Sequence, residues 1–517
     1  MDSLKSEQRD VIAFLSNAAS YGVEGTVEVH ETHGSLVFLA GRRAYKLKRA
    51  IQFPYMDYST PEKRRRMCER ELAVNHRMAP ALYQEVRAIV REGQELRFGA
   101  TNDPNAVDWV VVMHRFDQSD LLEARRAAGR LTRDDILVLA DAVAAFHHDA
   151  EKVEGFGGAS AMRAVVDESV SLLSEKCADT AMTPKVERFS ELSEHWLARV
   201  RDVLGWRRQT GHVRRCHGDL HLNNVCMING TPVLFDAIEF NDAFACIDVT
   251  YDLAFLLMDL DWHGLRSHAN ALLNRYLERT DDFTGLSALP LFLACRASIR
   301  AHVAISTLQT ASAGSADPTA PARLLDAAVS YLEPRNPELI VIAGLSGTGK
   351  STLARLLAPA VGAAPGAVVL RSDAVRKAMM GVPETQRLDE SAYDLKTNAA
   401  VYDRLYATAR LVLHAGHSVI VDAVFGNTVE QARIEAVARD ASVEFHGLWL
   451  TAPLETLERR IAQRTGDASD ATVAVLQKQI SHVSVPLHWS KVDAGGSSSE
   501  VLARIDWLIG LGAKMAV

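Results

Sequence analysis

The stretch at residues 338–352, ELIVIAGLSGTGKST, constrains the fold of this chain more than any other part of it. An apolar run, LIVIA, leads directly into Gly344-Leu-Ser-Gly347-Thr348-Gly349-Lys350-Ser351, which fits G-x-x-x-x-G-K-[ST] and is followed by Thr352. Glycines there permit a tight turn whose backbone N–H groups face a phosphate chain, and the helix that follows offers the positive end of its dipole. Lys350 is then placed for β and γ phosphates and Ser351 for magnesium. Downstream, the strand-like runs AVVLRS, HSVIVDA and FHGLWL alternate with helical segments. That alternation implies parallel strands joined by crossover helices, an α/β fold.

With 517 residues, the chain holds about three times a typical domain length of ~150 residues. Turn formers cluster at residues 311–321 (ASAGSADPTAP) and 333–338 (EPRNPE), with a helix-like ARLLDAAVSYL between them. We place the boundary near Pro337, giving a first domain at 1–332, a linker at 333–338 and a second domain at 339–517. Residues 20–115 carry strand-like runs (GSLVFLA, RAYKLK, DWVVVMH) around one charged helical stretch, and residues 131–332 are mostly helical in period, an α+β pattern.

Composition narrows the function classes. The chain is 48% hydrophobic and 24% charged, far from the disordered regime. Its 57 basic and 65 acidic side chains leave a net charge of -8, so nothing draws it as a whole to nucleic acid or anionic lipid. Six cysteines without a C-x-x-C pair read as buried thiols rather than a disulfide framework or a zinc site. The first twenty residues place charges where a signal peptide needs an apolar core, and no run reaches about 18 uninterrupted apolar residues. The expectation is a soluble, cytoplasmic protein without a membrane partner; oligomeric state is not legible.

Phosphoryl transfer needs an acceptor base and a means of neutralising the transferring group. The second strand of the carboxy-terminal region ends in Leu370-Arg371-Ser372-Asp373, with Arg376 three residues on. At the carboxyl edge of a parallel sheet, Asp373 faces the phosphate crevice, where it can orient or deprotonate a hydroxyl, and Arg376 can hold an anionic acceptor. Asp422, ending the third strand, suits the magnesium-side carboxylate. Arg460 and Arg464, four apart on one helix face ahead of TGDASDA, can close over the phosphates as a lid.

A second constellation lies upstream at His217-Gly-Asp219-Leu-His-Leu-Asn-Asn224, spaced H-x-D-x-x-x-x-N and followed by TPVLFD ending in Asp236. A kinase catalytic loop needs a carboxylate near the acceptor hydroxyl, an asparagine five residues later on a metal, and a second metal carboxylate beyond a hairpin. Asp219, Asn224 and Asp236 fill those places in order. The matching phosphate-binding lysine is Lys46 in AYKLK, with Lys48 on the same strand face as its rival. Its helix partner is Glu71 rather than Glu69, since two helical positions turn by about 200°. Val110 to His114 is where an adenine-contacting hinge falls.

Residues 339 to about 500 resemble the P-loop small-molecule and polynucleotide kinases, including zeta-toxin-like and chloramphenicol-phosphotransferase-like enzymes; S-D-x-x-R matches the acceptor-side motif of that group. Residues 25 to 305 resemble the aminoglycoside phosphotransferase-like branch of the protein-kinase-like fold, whose loop reads H-G-D-x-H-x-x-N. That resemblance assigns Asp252 of Asp252-Leu-Ala254 to supporting the catalytic loop. The chain departs from the branch at Leu222 and Asn223, where proline and glycine are common, and its THGSLVFLAG loop lacks G-x-G-x-x-G. The pairing is similar to a bacterial family described as bifunctional aminoglycoside-phosphotransferase-like and ATP-binding, which implies ATP and Mg2+ as cofactors.

The resemblance leaves the acceptor open. Polycationic aminoglycosides need several carboxylates, for which Glu239, Asp242, Asp259 and Asp261 are candidates, whereas Arg296 and Arg300 favour an anionic or neutral acceptor. The expected function is transfer of the ATP γ-phosphoryl group to a small-molecule hydroxyl in each domain. A P-loop domain acting as a nucleotide sensor for one active kinase is the alternative, and a nucleic-acid end kinase is the third reading, unsupported by charge or aromatic runs.

Overall fold

The computed structural model describes residues 8–53, 55–310, 317–463 and 468–510. They group into two compact units, Met1–Ala161 with Arg207–Leu256, and Met162–Trp206 with Leu257–Val517. The 333–338 segment expected as a linker lies inside the second unit.

In the first unit, β1 (Glu28–Glu31), β2 (Ser35–Ala40) and β3 (Arg43–Lys48) lead through helix α1 (Pro61–His76) to β4 (Tyr83–Glu92), β5 (Glu95–Gly99) and β6 (Ala106–His114). They form one antiparallel sheet in the order β1-β2-β3-β6-β4-β5. Alternation along β3 decides what each face carries: Tyr45 and Leu47 pack with Phe38, Val110 and Val112, while Ala44 packs with Leu39, Val111 and Cys68 of α1. Lys46 and Lys48, in step with Ala44, therefore face α1. The Thr60 side chain caps that helix and Pro61 opens it. Its buried stripe, Cys68, Glu71 and Asn75, follows helical spacing, so Glu71 points inward. Glu69 stays at the surface, paired with Arg65 at 2.9 Å.

Strands β7 (Val225–Ile228) and β8 (Thr231–Leu234) form a hairpin turned at Asn229-Gly230, both with positive φ. Helix α2 (Val249–Trp262) follows.

The second unit contains α3 (Arg266–Thr280), α4 (Leu289–Thr310) and, after the helix Ala320–Leu332, a five-stranded parallel sheet. The sheet orders β9 (Glu338–Gly344), β10 (Val368–Arg371), β11 (Val419–Asp422), β12 (Glu444–Thr451) and β13 (Ser490–Asp493) as β10-β11-β9-β12-β13. Strand order reverses at β9, so the crevice at its carboxyl end is the natural ligand site. Helices α5 (Lys350–Leu357), α6 (Ser372–Met379) and α7 (Leu454–Gln463) start at that end. Ile340, Ile342, Leu353, Ile420, Leu448 and Ile505 form the core on one sheet face. The edge strand β10 is finished by α3 side chains: Val369 N donates to Asn274 Oδ1 at 2.7 Å, and Ala367 O accepts from the Asn270 and Asn274 amides at 3.0 and 3.2 Å.

Among the described residues one segment, Phe283–Gln309, is long and apolar enough to cross a membrane, but 72% of its most apolar window is buried inside the protein, where it serves as a core helix. All six cysteines are free and buried.

Candidate active sites

In the first unit Lys46 and Lys48 both reach Glu71, one on each carboxylate oxygen, at 2.7 Å. Beyond that shared anchor they diverge. Lys46 Nζ also meets Asp236, and Lys48 Nζ meets Glu239, which accepts from Tyr58 Oη at 2.8 Å. Burial alone would lower both ammonium pKa values, but the carboxylates (chiefly Asp236 for Lys46, Glu239 for Lys48) push them well above the ordinary lysine range. Burial disfavours the Glu71 carboxylate, yet the two lysines hold it below the usual range. The rivalry between the lysines thus resolves into two positions, with Lys46 on the half-exposed Asp236 and Lys48 sealed inside. Glu239, expected on the acceptor side, belongs instead to this internal network.

The loop 217–224 is held by Asp252, whose carboxylate accepts from His217 N at 3.0 Å, from Gly218 N at 2.8 Å and lies 3.1 Å from His147 Nε2. Burial keeps the His217 imidazole below its ordinary pKa. Its Nδ1 accepts from Asp219 N at 3.3 Å and its Nε2 donates to Phe235 O at 2.8 Å, a neutral tautomer fixed at both ends. Asn224 Nδ2 donates to Asp219 O at 2.9 Å and Oδ2 at 3.1 Å. The hairpin register continues one step beyond Val225–Leu234, with Phe235 N donating to Asn224 O at 3.0 Å, so Asp236 is the residue after the one paired with Asn224. Asp236, at φ 63°, is further held by Tyr83 Oη at 3.1 Å. The expected Lys46, Glu71 and Asp236 are thus brought together, as are Asp219 and Asn224. The oxygen-rich set of Asn224 and Asp236 fits a hard divalent cation. Val110 to His114 lies on β6, paired directly to β3. Asp242 is engaged by Arg70 and, at 2.8 Å, by Arg215.

In the second unit Gly344 and Gly347 show why the loop needs glycine. A Cβ would stand 2.6 Å from Leu450 O at the first and 2.8 Å from Leu457 O at the second, at φ of 139° and 86°. Ser351 Oγ donates to Asp422 Oδ2 at 2.5 Å, across a register that sets Asp422 beside Ile342 of β9. Two hard oxygen donors meeting at the phosphate loop fit magnesium. Lys350 Nζ rests on Gly344 O at 2.9 Å and Leu345 O at 3.1 Å. Thr348 turns its hydroxyl back to Leu345 O at 2.8 Å, and Thr352 lines the cleft.

That cleft, about 890 Å³, also takes in Asp373, Arg376, Asp422 and Arg460. Burial raises the Asp373 pKa, Asp422 adds to the rise, and a Ser469 hydrogen bond opposes it. Arg376 is 5% exposed; Nη1 donates to Ala392 O at 2.8 Å, Nη2 to Asn398 Oδ1 at 2.7 Å, and the guanidinium lies 4.6 Å from the Tyr393 ring centre. Arg460 is held on Ala494 O at 2.9 Å and Gly496 O at 3.1 Å, while Arg464 lies outside the described residues. In this unit Asp261 pairs with Arg266 at 2.7 Å and Asp259 lies 3.7 Å from Arg300; Arg296 is buried.

Sequence reasoning missed an ion-pair chain behind Asp422: Arg275 of α3 meets Glu384 at 3.0 Å, Glu384 meets Arg371 at 2.7 Å, and Arg371 Nε lies 3.6 Å from Asp422. It also missed Asp470, which takes Lys377 at 3.1 Å and Tyr393 Oη at 2.8 Å. For Glu384 and Asp470 the only sequence signal is charge in otherwise loop-like stretches.

Comparison with known proteins matches residues 339–486 to the AAA_33 family, described as an AAA domain. A gluconokinase from Sinorhizobium meliloti 1021 is 22% identical, covering 34% of this chain and 98% of its own, with a TM-score of 0.24. A thermostable mutant of aminoglycoside phosphotransferase APH(4)-Ia is 15% identical, covering 62% of this chain and 97% of its own, with a TM-score of 0.40. The uncharacterized protein Mb2027c of Mycobacterium bovis is 31% identical over 467 residues, 87% of this chain and 89% of that protein. At that identity and coverage the chain belongs to the family of Mb2027c.

Proposed function

We propose that the protein is an ATP- and magnesium-dependent phosphotransferase with two active sites, each moving the γ-phosphoryl group of ATP to a hydroxyl of a small molecule. The observation that carries this reading is the Ser351–Asp422 pair, 2.5 Å apart beneath a glycine loop that admits no side chain at Gly344 or Gly347. Lys46, Asp219, Asn224 and Asp236 supply the corresponding groups in the first half.

In the P-loop half, backbone amides and Lys350 hold the phosphate tail. Asp373 orients the acceptor hydroxyl and takes its proton as that oxygen bonds to the γ-phosphorus and the bond to the β-phosphate oxygen breaks, releasing ADP. Ser351 and Asp422 would hold magnesium, which supplies charge neutralisation at the β and γ oxygens when bound. In the first half Lys46, oriented by Glu71, grips phosphate, Asp219 receives the acceptor proton, and Asn224 with Asp236 would hold the metal.

The test is ATP consumption by Asp219→Ala, Lys350→Ala and the double variant. Each single change should remove one half's turnover, and unchanged consumption in the double variant overturns the reading. A nucleotide-sensing P-loop half is the second reading, favoured by the ion-pair chain from Asp422 to α3. Full biological output from an Asp373→Asn protein would select it.

A further inference from the structure

Two carboxylates face each other at the amino-terminal end of the parallel sheet, opposite to the end that carries the phosphate loop. In the β9–β12 ladder Glu338 stands directly across from Glu444, and Ile340 from His446. Paired positions on neighbouring strands project to the same side, and alternation along β12 returns His446 to the side of Glu444. Glu338, Glu444 and His446 therefore continue, at the rim, the sheet face whose core holds Ile340, Ile342 and Leu448. Like charges directly across from one another destabilise a sheet unless something positive lies between them. Six steps of about 3.3 Å along β9 separate Glu338 from Gly344, so this cluster is about 20 Å from the phosphate loop and stands apart from its chemistry.

What lies between them is one ring nitrogen. His446 Nε2 is 3.3 Å from Glu338 Oε2 and 3.3 Å from Glu444 Oε1. It is buried, yet it makes a hydrogen bond with neither. A protonated imidazole carries a single hydrogen on Nε2 and serves one carboxylate at most. The separations match a coordination polyhedron instead: donors about 2.05 Å from a tetrahedral zinc ion lie about 3.3 Å apart. All three donor atoms lie within 4.8 Å of one another. The side chains of Glu338 and His446 are 9% and 14% exposed and so anchored in the fold, while that of Glu444 is 59% exposed and gives an ion its way in. Among the described residues one other group of this kind, His147, Cys216 and Asp252, lies in the first unit, but there Asp252 is committed to the amides of His217 and Gly218.

We propose that Glu338, Glu444 and His446 form a zinc site, with three protein ligands and water in the fourth position, which ties together the amino-terminal ends of β9 and β12. An imidazole nitrogen beside two carboxylate oxygens suits zinc, whereas magnesium prefers six oxygens in octahedral array. The ion's two charges offset those of the two carboxylates. The site is separate from the two magnesium positions of the proposed phosphotransfer and does not depend on them.

The test uses the full chain saturated with magnesium and a non-hydrolysable ATP analogue, so that the nucleotide sites are filled. Zn2+ is titrated in competition with a chromophoric chelator, and Co2+ is added to a second sample as a spectroscopic stand-in. One zinc per chain should bind, and cobalt should give the intense visible absorption of a four-coordinate ion. Loss of a group that merely supports a ligand weakens metal binding by about 10–100-fold, so His446→Gln, which removes a ligand, should weaken zinc by about a hundredfold or more and abolish the cobalt band. Glu444→Gln, at an exposed position, should weaken zinc without disturbing the fold, and it decides the matter if His446→Gln does not fold. Affinity for the ATP analogue should be the same in both variants as in the wild type. A wild-type chain with no stoichiometric zinc, the outcome expected if a protonated His446 alone bridges the carboxylates, overturns the proposal. So does zinc affinity or a cobalt band that both variants retain.

Discussion

Lys46 and Lys48 share one carboxylate, yet their loss should have opposite consequences. Lys48 is 1% exposed and sits between Glu71 and Glu239, with Tyr58 completing the cluster. Lys48→Met leaves Glu239 buried without a cation and halves the neutralisation of Glu71. Breaking a buried pair from one side costs about 3–5 kcal/mol. For a unit of roughly 150–250 residues each kcal/mol is worth about 2–4 °C, so the first unit should melt about 6–20 °C lower. Lys46→Met leaves Glu71 still paired with Lys48 and leaves Asp236 with a side chain 40% exposed and able to hydrate, so it should cost less stability while abolishing turnover in the first half. Adding Glu239→Gln to Lys48→Met should restore part of the loss, since the stranded charge is gone. Thermal unfolding of the four proteins beside an ATP-turnover assay makes the comparison. A loss below about 1 kcal/mol for Lys48→Met, the size of an exposed pair, would falsify the argument. Acid adds a check on sign. The lysines depress the Glu71 pKa, so its contribution is present above the unfolded carboxylate value and lost as pH falls through the folded one. With one lysine removed, the acid transition should move to higher pH.

Other expectations concern the P-loop half. Gly347→Ala should abolish nucleotide binding there, since its Cβ would meet Leu457 O at 2.8 Å; equilibrium dialysis showing full stoichiometry would contradict this. In an Asp219→Ala background the remaining turnover should rise with pH through one ionisation above the ordinary carboxylate range, because burial first and Asp422 second raise Asp373. Ser469→Ala should shift that limb higher still, and a limb at the ordinary value counts against Asp373 as the base. Arg275→Met should loosen Glu384 and Arg371 behind Asp422 and raise the magnesium needed for half-maximal P-loop turnover by about two- to fivefold, the worth of a partly exposed pair. Arg275→Lys should recover some of it, and an unchanged magnesium dependence refutes the link.

What the sequence made legible is chemistry compressed into short stretches. Residues 344–352 and 217–224 each carry their loop, their polar groups and their spacing within nine residues or fewer, so local rules suffice. The face of β3 carrying Lys46 and Lys48 followed from its period of two and Glu71 from helical spacing, but the pairing of the lysines with Asp236 and Glu239 did not, because these lie 190 and 191 residues away in the chain. Glu239 was accordingly read as acceptor-facing. Strand β13, Ser490–Asp493, went unread because only Val492 of its four residues is buried, leaving no apolar run to recognise. Arg460 was legible as a cleft residue, but its carbonyl partners at Ala494 and Gly496 come from beyond the next helix and strand.

The asparagines of α3 have a practical bearing. By supplying Val369 and Ala367 with partners, they complete a ladder that the parallel sheet leaves unfinished at β10. A fragment cut at residue 339, the obvious place from the family match, would discard that helix and leave a bare row of amides and carbonyls ready to pair with another copy. Cloning that begins before Arg266 keeps the seam closed, and the P-loop half should be handled as something that does not end where its motif-bearing sheet begins.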